Sequence, residues 1–123
     1  MAYIYVCNPY THISEDKEHS HQIMQDRFEQ AEAYTAQLLL EGHVVFSPIM
    51  HCHELAKKYD LPPDFGFWQN YCLSMLAPAT EMHVVQLDGW DKSSGVAGEM
   101  QFCIDNNIEV KFIKPSEITL KSD

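Results

Sequence analysis

The segment from residue 82 to residue 103 constrains the fold most, because its periodicity changes from that of a strand to that of a helix. An apolar run over residues 82–87 leads into a polar loop that contains glycine, and apolar residues then recur at helical spacing from Val96 to Cys103. This order predicts a strand, a loop and a helix. In open α/β sheets, ligands bind beyond the carboxyl ends of the strands, where such loops lie. The segment therefore predicts both an α/β fold and the position of a ligand site.

Three further segments, residues 2–7, 43–48 and 108–113, are rich in β-branched and aromatic residues and predict strands. The first ends at Asn8-Pro9 and is predicted to be central. The last alternates between apolar and polar residues, which suits a strand at the edge of a sheet.

Amphipathic patterns between these strands predict helices over residues 20–41, with Gly42 as the C-cap, and over residues 67–76. A short helix is predicted to follow residues 51–54. Alternating strands and helices with short connections predict a parallel sheet with right-handed crossovers. We therefore expect a flavodoxin-like (Rossmann-like) three-layer α/β sandwich of four or five parallel strands flanked by helices. Residues 1–115 would form a single domain, followed by a partly ordered C-terminal tail, residues 116–123.

Composition and charge exclude several classes of protein. A chain of 123 residues with 46% hydrophobic and 11% aromatic residues suits one globular domain. The net charge of -10, with only eight Lys and Arg residues, argues against a nucleic-acid duplex as partner. No apolar run approaches the roughly 20 residues of a membrane span, and no signal pattern opens the chain, so no membrane partner is expected.

The four cysteines show no paired spacing, and three of them lie inside apolar patterns: Cys7, Cys52, Cys72 and Cys103. This pattern is typical of buried, reduced thiols rather than of a disulfide scaffold. The sequence therefore predicts a cytoplasmic protein.

Polar residues crowd the loop and the helix start that follow the third predicted strand. Ser93 or Ser94 is a candidate N-cap, and the first amides of the helix, together with its dipole, would attract an anion. Glu99 lies about one turn further in, and a carboxylate beside an anion site is a candidate for catalysis. The same residues also suit ordinary capping and dipole complementation, so spacing alone leaves both interpretations open.

These features resemble the nucleoside 2-deoxyribosyltransferase-like superfamily, over roughly residues 3–113. The resemblance rests on residues 4–5, 27–36 and 46–48, and above all on Leu87-Asp88-Gly89-Trp90 followed by Ser93-x-Gly95-x-x-x-Glu99. Members are small flavodoxin-like domains that cleave the N-glycosidic bond of nucleosides or nucleoside 5′-monophosphates. The resemblance implies either hydrolysis, which releases the free base, or transfer of the (deoxy)ribosyl group to a second base.

The resemblance also implies roles for individual residues. Glu99 matches the nucleophile of the family, and Tyr5 matches the strand tyrosine that holds it. Serine, as at Ser93, is typical of monophosphate hydrolases, whereas enzymes that act on free nucleosides tend to have an acidic residue there. A homo-oligomer is implied as well, because a neighbouring subunit completes related sites. We expect no cofactor and no metal.

Cleavage of a C1′–N bond suits these residue types. The reaction passes through an oxocarbenium-like state, which a carboxylate can stabilise or attack. We expect Glu99 to be an exposed carboxylate that is ionised at neutral pH, as a helix N-terminus favours. Ser93 and Ser94, with the backbone amides of Gly95 and Val96, would receive a 5′-phosphate.

Other residues are predicted to bind the rest of the substrate: Asn8, Asp88, Trp90, Cys72 and Trp68. Trp90 is the preferred candidate for stacking on the base, whereas Trp68 and its neighbour Phe67 also fit a core position. Cys72 stands where family members often carry an aspartate that contacts the base. Arg27 fits either a phosphate contact or an ion pair on a solvated helix face.

Two further hypotheses remain. His51 and His53 would share a metal if their segment were extended, with His43 or His83 as a third ligand, although no second pair of ligands is visible. A protein of this fold can also bind a nucleotide without chemistry, in order to sense or sequester it.

Overall fold

A computed structural model describes residues 2–12, 14–62 and 64–121. Four strands and four α-helices follow one another along the chain: β1 (Ile4–Cys7), α1 (Lys17–Leu40), β2 (Val45–Phe46), α2 (Pro48–Tyr59), α3 (Phe65–Leu76), β3 (Glu81–Val85), α4 (Ser94–Asp105) and β4 (Glu109–Ile113). Short 3-10 turns occupy Trp90–Lys92 and Pro115–Glu117.

The four strands form one parallel sheet in the order β2-β1-β3-β4. Tyr5 of β1 lies beside Phe46 on one side and Met82 on the other, so β1 is central, and β4 is an edge strand, as predicted. The chain runs outward in one direction after β1 and in the other after β3. The strand order therefore reverses between β1 and β3, and ligands of open α/β sheets bind at such a point.

Alternate residues of β1 face the two outer layers of the molecule. Ile4 and Val6 pack against α1, whereas Tyr5 and Cys7 pack against α3 and α4. α2 packs on α1 near the carboxyl end of the sheet. The predicted flavodoxin-like three-layer sandwich with a parallel sheet is confirmed.

Each of the four helices begins at a side-chain cap. Asp16, Ser47, Asp64 and Ser93 each accept a hydrogen bond from the backbone N–H three residues later. Such a cap contributes about 0.5–2 kcal/mol. The φ of 91° at Gly42 explains why glycine follows the end of α1, as predicted.

The starts of three helices differ from the prediction, and the smallest change is that α3 begins at Phe65 rather than at residue 67. α1 begins at Lys17 rather than near Ser20, because Asp16 provides the cap. α2 begins at Pro48, directly after β2, and therefore contains residues 51–54, which were expected to precede it. Proline suits the first helical position, where its missing N–H has no intrahelical partner.

The C-terminal segment packs against α1. The Gln37 amide nitrogen donates to the carbonyl of Glu117 at 2.9 Å, and its oxygen accepts from the N–H of Thr119 at 2.8 Å. Ile118 packs against the apolar face between the sheet and α1. Residues 117–119 of the predicted C-terminal tail thus contact α1 and the sheet, whereas residues 122 and 123 lie outside the described part.

Two further predictions from the sequence concern the state of the cysteines and the presence of membrane-spanning helices. The four cysteines are free and buried, in agreement with the expected reduced thiols. In the described ranges, no helix has the length and apolar character that crossing a membrane requires.

Candidate active site

A cavity of about 300 Å³ lies where the strand order reverses. The loop after β1, the facing sides of α2 and α3, and the start of α4 line it. Seven of the ten predicted site residues reach this cavity: Glu99, Ser93, Ser94, Gly95, Asn8, Cys72 and Trp68. Tyr5 lies directly behind it.

Glu99 is a buried carboxyl group, 5% exposed, on the cavity side of α4. The hydroxyl of Tyr5, itself fully buried, donates to Glu99 Oε2 at 2.7 Å, so the predicted hydrogen bond is present. Burial raises the pKa of Glu99 to about 7, although hydrogen bonds from the Tyr5 hydroxyl and the Cys7 thiol lower it in part.

The expectation of an exposed, fully ionised Glu99 is wrong. Glu99 is the sixth residue of α4, beyond the first turn in which the helix dipole acts, and it faces the interior. Loss of hydration therefore decides its pKa, and near neutral pH both protonation states are populated.

Two buried thiols lie close to Glu99. Burial raises the pKa of Cys72 to about 12 and raises the pKa of Cys7 well above its usual value. Both groups therefore stay neutral at physiological pH. Glu99 is thus the member of this cluster that changes charge near pH 7.

The start of α4 forms the anion-attracting end of the cavity. Ser93 is the N-cap, and its Oγ accepts from the N–H of Val96 at 3.2 Å. The amides of Ser94 and Gly95 lie in the first turn, where no intrahelical partner exists. The notable difference from the prediction is that the Val96 amide donates to the cap, so the amides of this turn that remain available to an anion are those of Ser94 and Gly95. Lys92 also lines this end, and the sequence analysis missed it.

Phe65 connects α3 to α4 across the cavity. A methyl group on Gly98 would lie 2.7 Å from Phe65 Cε2, closer than carbon atoms approach in proteins. Glycine at this position therefore lets the ring, which lines the cavity, pack on the first turns of α4. Neither residue was predicted from the sequence to belong to the site.

A comparison with known families places the chain. The family described as "Domain of unknown function (DUF1937)" matches residues 2–114. The protein belongs to this family. No curated protein matches the chain. The name of the family carries no activity.

In this DUF1937 protein, two predicted site residues besides Tyr5 lie outside the cavity lining. The ring of Trp90 packs on Phe112, with the ring centroids 5.7 Å apart, and belongs to the core beside β4. Asp88 is exposed and borders a separate surface groove beside Arg27. Trp68, not Trp90, therefore supplies the large aromatic surface of the site, and its Nε1 donates to the carbonyl of Pro62 at 2.7 Å.

Arg27 ties together two loops at the carboxyl edge of the sheet. Its guanidinium donates to the backbone carbonyls of Tyr10 at 3.2 Å, Thr11 at 3.1 Å and Asp88 at 3.0 Å. Neither expected role, a phosphate contact or an ion pair on the helix surface, matches this geometry. Carbonyl groups from the ends of β1 and β3 converge here, and a guanidinium has enough donors for all three.

The histidine pair does not have the geometry of a metal site. His51 and His53 lie in α2 rather than in an extended segment, so their side chains point about 200° apart around the helix. His51 stacks on Tyr71, whereas His53 is buried. His83, considered as a third ligand, contacts Tyr34 at 2.7 Å. In the described part of this DUF1937 chain, no three His, Cys, Asp or Glu residues are grouped to hold a metal ion.

Proposed function

We propose that this protein cleaves the N-glycosidic bond of a nucleoside 5′-monophosphate, or less effectively of a nucleoside, with Glu99 as the nucleophile. The observation that carries the proposal is the buried Glu99 carboxyl group at the cavity, held by a tyrosine and a thiol rather than by a cation. Burying a carboxylate in this way costs free energy, and such groups concentrate at functional sites.

The electrostatics of Glu99 suit a reaction that develops positive charge. Departure of the base leaves an oxocarbenium-like charge at C1′, and this charge supplies the cationic partner that Glu99 itself lacks. The Tyr5 hydroxyl holds Oε2. Oε1 would then attack C1′, the C1′–N bond would break with its electron pair leaving on the base, and a glycosyl ester would form.

The start of α4 suits the 5′-phosphate of the substrate. Ser93, Ser94 and the positive charge of Lys92 line one end of the cavity, where the helix dipole also favours an anion. Glu99 lies five residues beyond Ser94, about 7–8 Å along the helix axis, which matches a sugar ring with its 5′ carbon. The net charge of -10 is spread over the whole surface and is screened beyond about 10 Å, so the local field at this site prevails.

The resemblance to the nucleoside 2-deoxyribosyltransferase-like superfamily supports the same proposal. With it we propose a homo-oligomer, in which a neighbouring subunit completes the site, and a cytoplasmic location. Sedimentation of the purified protein tests the first statement, with a monomer at all concentrations as the contrary result.

The alternative is a non-catalytic nucleotide-binding module. One observation favours it: a pKa of about 7 leaves Glu99 partly protonated at neutral pH, and a neutral carboxyl group can donate a hydrogen bond to a ligand.

The test incubates the protein with a panel of nucleosides and their 5′-monophosphates and measures the free base. We expect base release by the wild type and a loss of several orders of magnitude for Glu99→Gln, which keeps the shape but cannot form the ester. Glu32→Gln, an exposed change on α1, is the control. A second base added in excess separates transfer from hydrolysis. A wild type that binds nucleotide but never releases base would establish the binding module instead.

A further inference from the structure

A chain of three hydrogen-bonded side chains leads away from the cavity on the side of α2. Tyr10, in the loop after β1, has its hydroxyl oxygen 2.6 Å from Nδ1 of His53. Nε2 of His53 lies 3.0 Å from Oε1 of Gln25 in α1. The steps proposed above use none of these three residues.

The partners fix the direction of each hydrogen bond. An amide oxygen can only accept, so His53 Nε2 carries the hydrogen and donates to Gln25. Nδ1 of the neutral ring then has a free lone pair, and the Tyr10 hydroxyl donates to it. Burial lowers the pKa of His53 and raises the pKa of Tyr10 to about 12, which maintains this state near neutral pH.

The chain connects two cavities. Tyr10 lines the 300 Å³ cavity that contains Glu99, and it also lines a second cavity of about 580 Å³ between α1 and α2. His53, 4% exposed, borders the second cavity, and its ring stacks on Phe28 with the centroids 4.2 Å apart. The ring is therefore held in place, with Nδ1 directed at the hydroxyl of Tyr10. The charged and titratable groups around it are Glu54 and Lys57 of α2 and, across the second cavity, Glu18, His21 and Asp60.

Hydrolysis of the proposed glycosyl ester needs a base for the attacking water. Glu99 is esterified at that stage and cannot serve. Among the described residues that line the cavity, the thiols of Cys52 and Cys72 have pKa values raised to about 11 and 12, and Lys92 is a cation. Tyr10, backed by the neutral imidazole of His53, is the lining group that can pass a proton on to a base near neutral pH.

We propose that Tyr10 is a further catalytic residue, which activates the water that hydrolyses the glycosyl ester, with His53 as the positioning residue behind it. This inference rests on the proposed function. The water oxygen forms a bond to C1′ while the bond from C1′ to Glu99 breaks, and its electron pair returns to the carboxylate. One proton of the water passes to the Tyr10 oxygen, and the Tyr10 proton passes to Nδ1 of His53. The imidazolium still donates to Gln25 and releases its proton through the second cavity.

The protonation states of Glu99 and His53 are compatible with this step. The pKa of His53 lies below its usual 6.5, whereas the pKa of Glu99 is about 7. Above pH 7, where most of Glu99 is ionised and ready to attack, most of His53 is therefore the free base.

The test separates the two chemical steps in a Tyr10→Phe variant with a nucleoside 5′-monophosphate that the wild type cleaves. General base catalysis contributes typically 10²–10⁴-fold, so steady-state turnover should fall by about 100-fold or more. The first burst of base should remain, and mass spectrometry should find the sugar phosphate on the peptide that contains Glu99. Azide, which attacks without a general base, should restore turnover. His53→Gln should give the same burst with a smaller loss, and Tyr59→Phe, at an exposed position, is the control.

Two other results would each contradict the proposed relay. If Tyr10→Phe lowers the burst and the steady state equally, without an adduct on Glu99 and without rescue by azide, the relay is wrong while the role of Glu99 stands. If the wild type releases no base from any substrate, the proposed function fails, and the relay fails with it.

Discussion

Replacement of Glu99 by glutamine tests the burial of this group without any substrate. The folded protein holds the Glu99 proton more tightly than the unfolded chain does, because burial raises its pKa from the ordinary value of 4.5 to about 7. Between these two values the folded state binds more protons than the unfolded state, so the free energy of unfolding falls as the pH rises. Above about pH 7 the full cost of a buried carboxylate is present.

The size of the effect follows from the two pKa values. A change of one in pKa corresponds to about 1.4 kcal/mol, so the ionised Glu99 lowers the stability by about 3 kcal/mol at high pH. Glutamine has nearly the same shape, can accept the hydrogen bond from Tyr5 and carries no charge. We therefore expect Glu99→Gln to gain about 2–3 kcal/mol relative to the wild type between pH 5 and pH 8, which is roughly 10 °C in Tm.

The assay is urea unfolding of the wild type, Glu99→Gln and the surface control Glu32→Gln at pH 5 and pH 8. Comparison of variants at each pH cancels the titration of all other groups. The control should follow the wild type at both values. A Glu99→Gln variant whose stability relative to the wild type is the same at pH 5 and pH 8 would refute the raised pKa, and with it the electrostatic argument for the nucleophile.

Three further predictions concern metal dependence and two residues at the start of α4. Base release should survive treatment with EDTA, and a loss that zinc restores would bring back a metal mechanism. Ser93→Asp should keep the cap of α4, since aspartate is an equally good N-cap. Its negative charge should lower the turnover of monophosphates far more than the turnover of nucleosides. Equal losses for both substrates would mean that Ser93 only caps the helix. Gly98→Ala should destabilise the protein by about 1–3 kcal/mol, because its methyl group would meet the ring of Phe65. Gly98→Ala combined with Phe65→Leu should recover part of this loss. Urea unfolding measures both variants, and an unchanged midpoint for Gly98→Ala alone would contradict the close packing.

The order of the elements could be predicted from the sequence because periodicity reports which residues face the core. β1 and β3 are apolar runs bounded by polar loops, and the alternation of β4 marks an edge strand. The burial of Glu99 was also visible, although the sequence analysis did not use it. Glu99 lies three residues after Val96 and four before Cys103, which places it on the same buried face of α4.

Other parts of the site could not be predicted, because they depend on tertiary contacts. Tyr10 and His53 are separated by 43 residues, and their contact requires α2 to pack beside the loop after β1. The side chain of Trp90, in a short turn, packs on Phe112 of the edge strand, and no local sequence pattern indicates this contact. Spacing finds the residues of one helix face, whereas a cavity is built from several elements.

The missing cation beside Glu99 leads to a last prediction, on ligand affinity. If a lysine or an arginine faced this carboxylate, the group would be ionised and paired before substrate arrived, with a depressed pKa and no need for a charge at C1′. Tyr5 and Cys7 instead donate neutral hydrogen bonds, so the positive charge that balances ionised Glu99 has to come from the ligand.

A phosphorylated pyrrolidine, which carries its positive charge at the position of the sugar ring, should therefore bind to the ionised form of Glu99. Below about pH 7, its affinity relative to that of a neutral analogue with the same phosphate should rise about tenfold per pH unit, and it should level off above that value. Calorimetry on both analogues from pH 5 to pH 8 measures this ratio and cancels the titration of the phosphate. The preference for the cation should vanish in Glu99→Gln. A ratio that stays constant across this range would mean that Glu99 does not face the sugar.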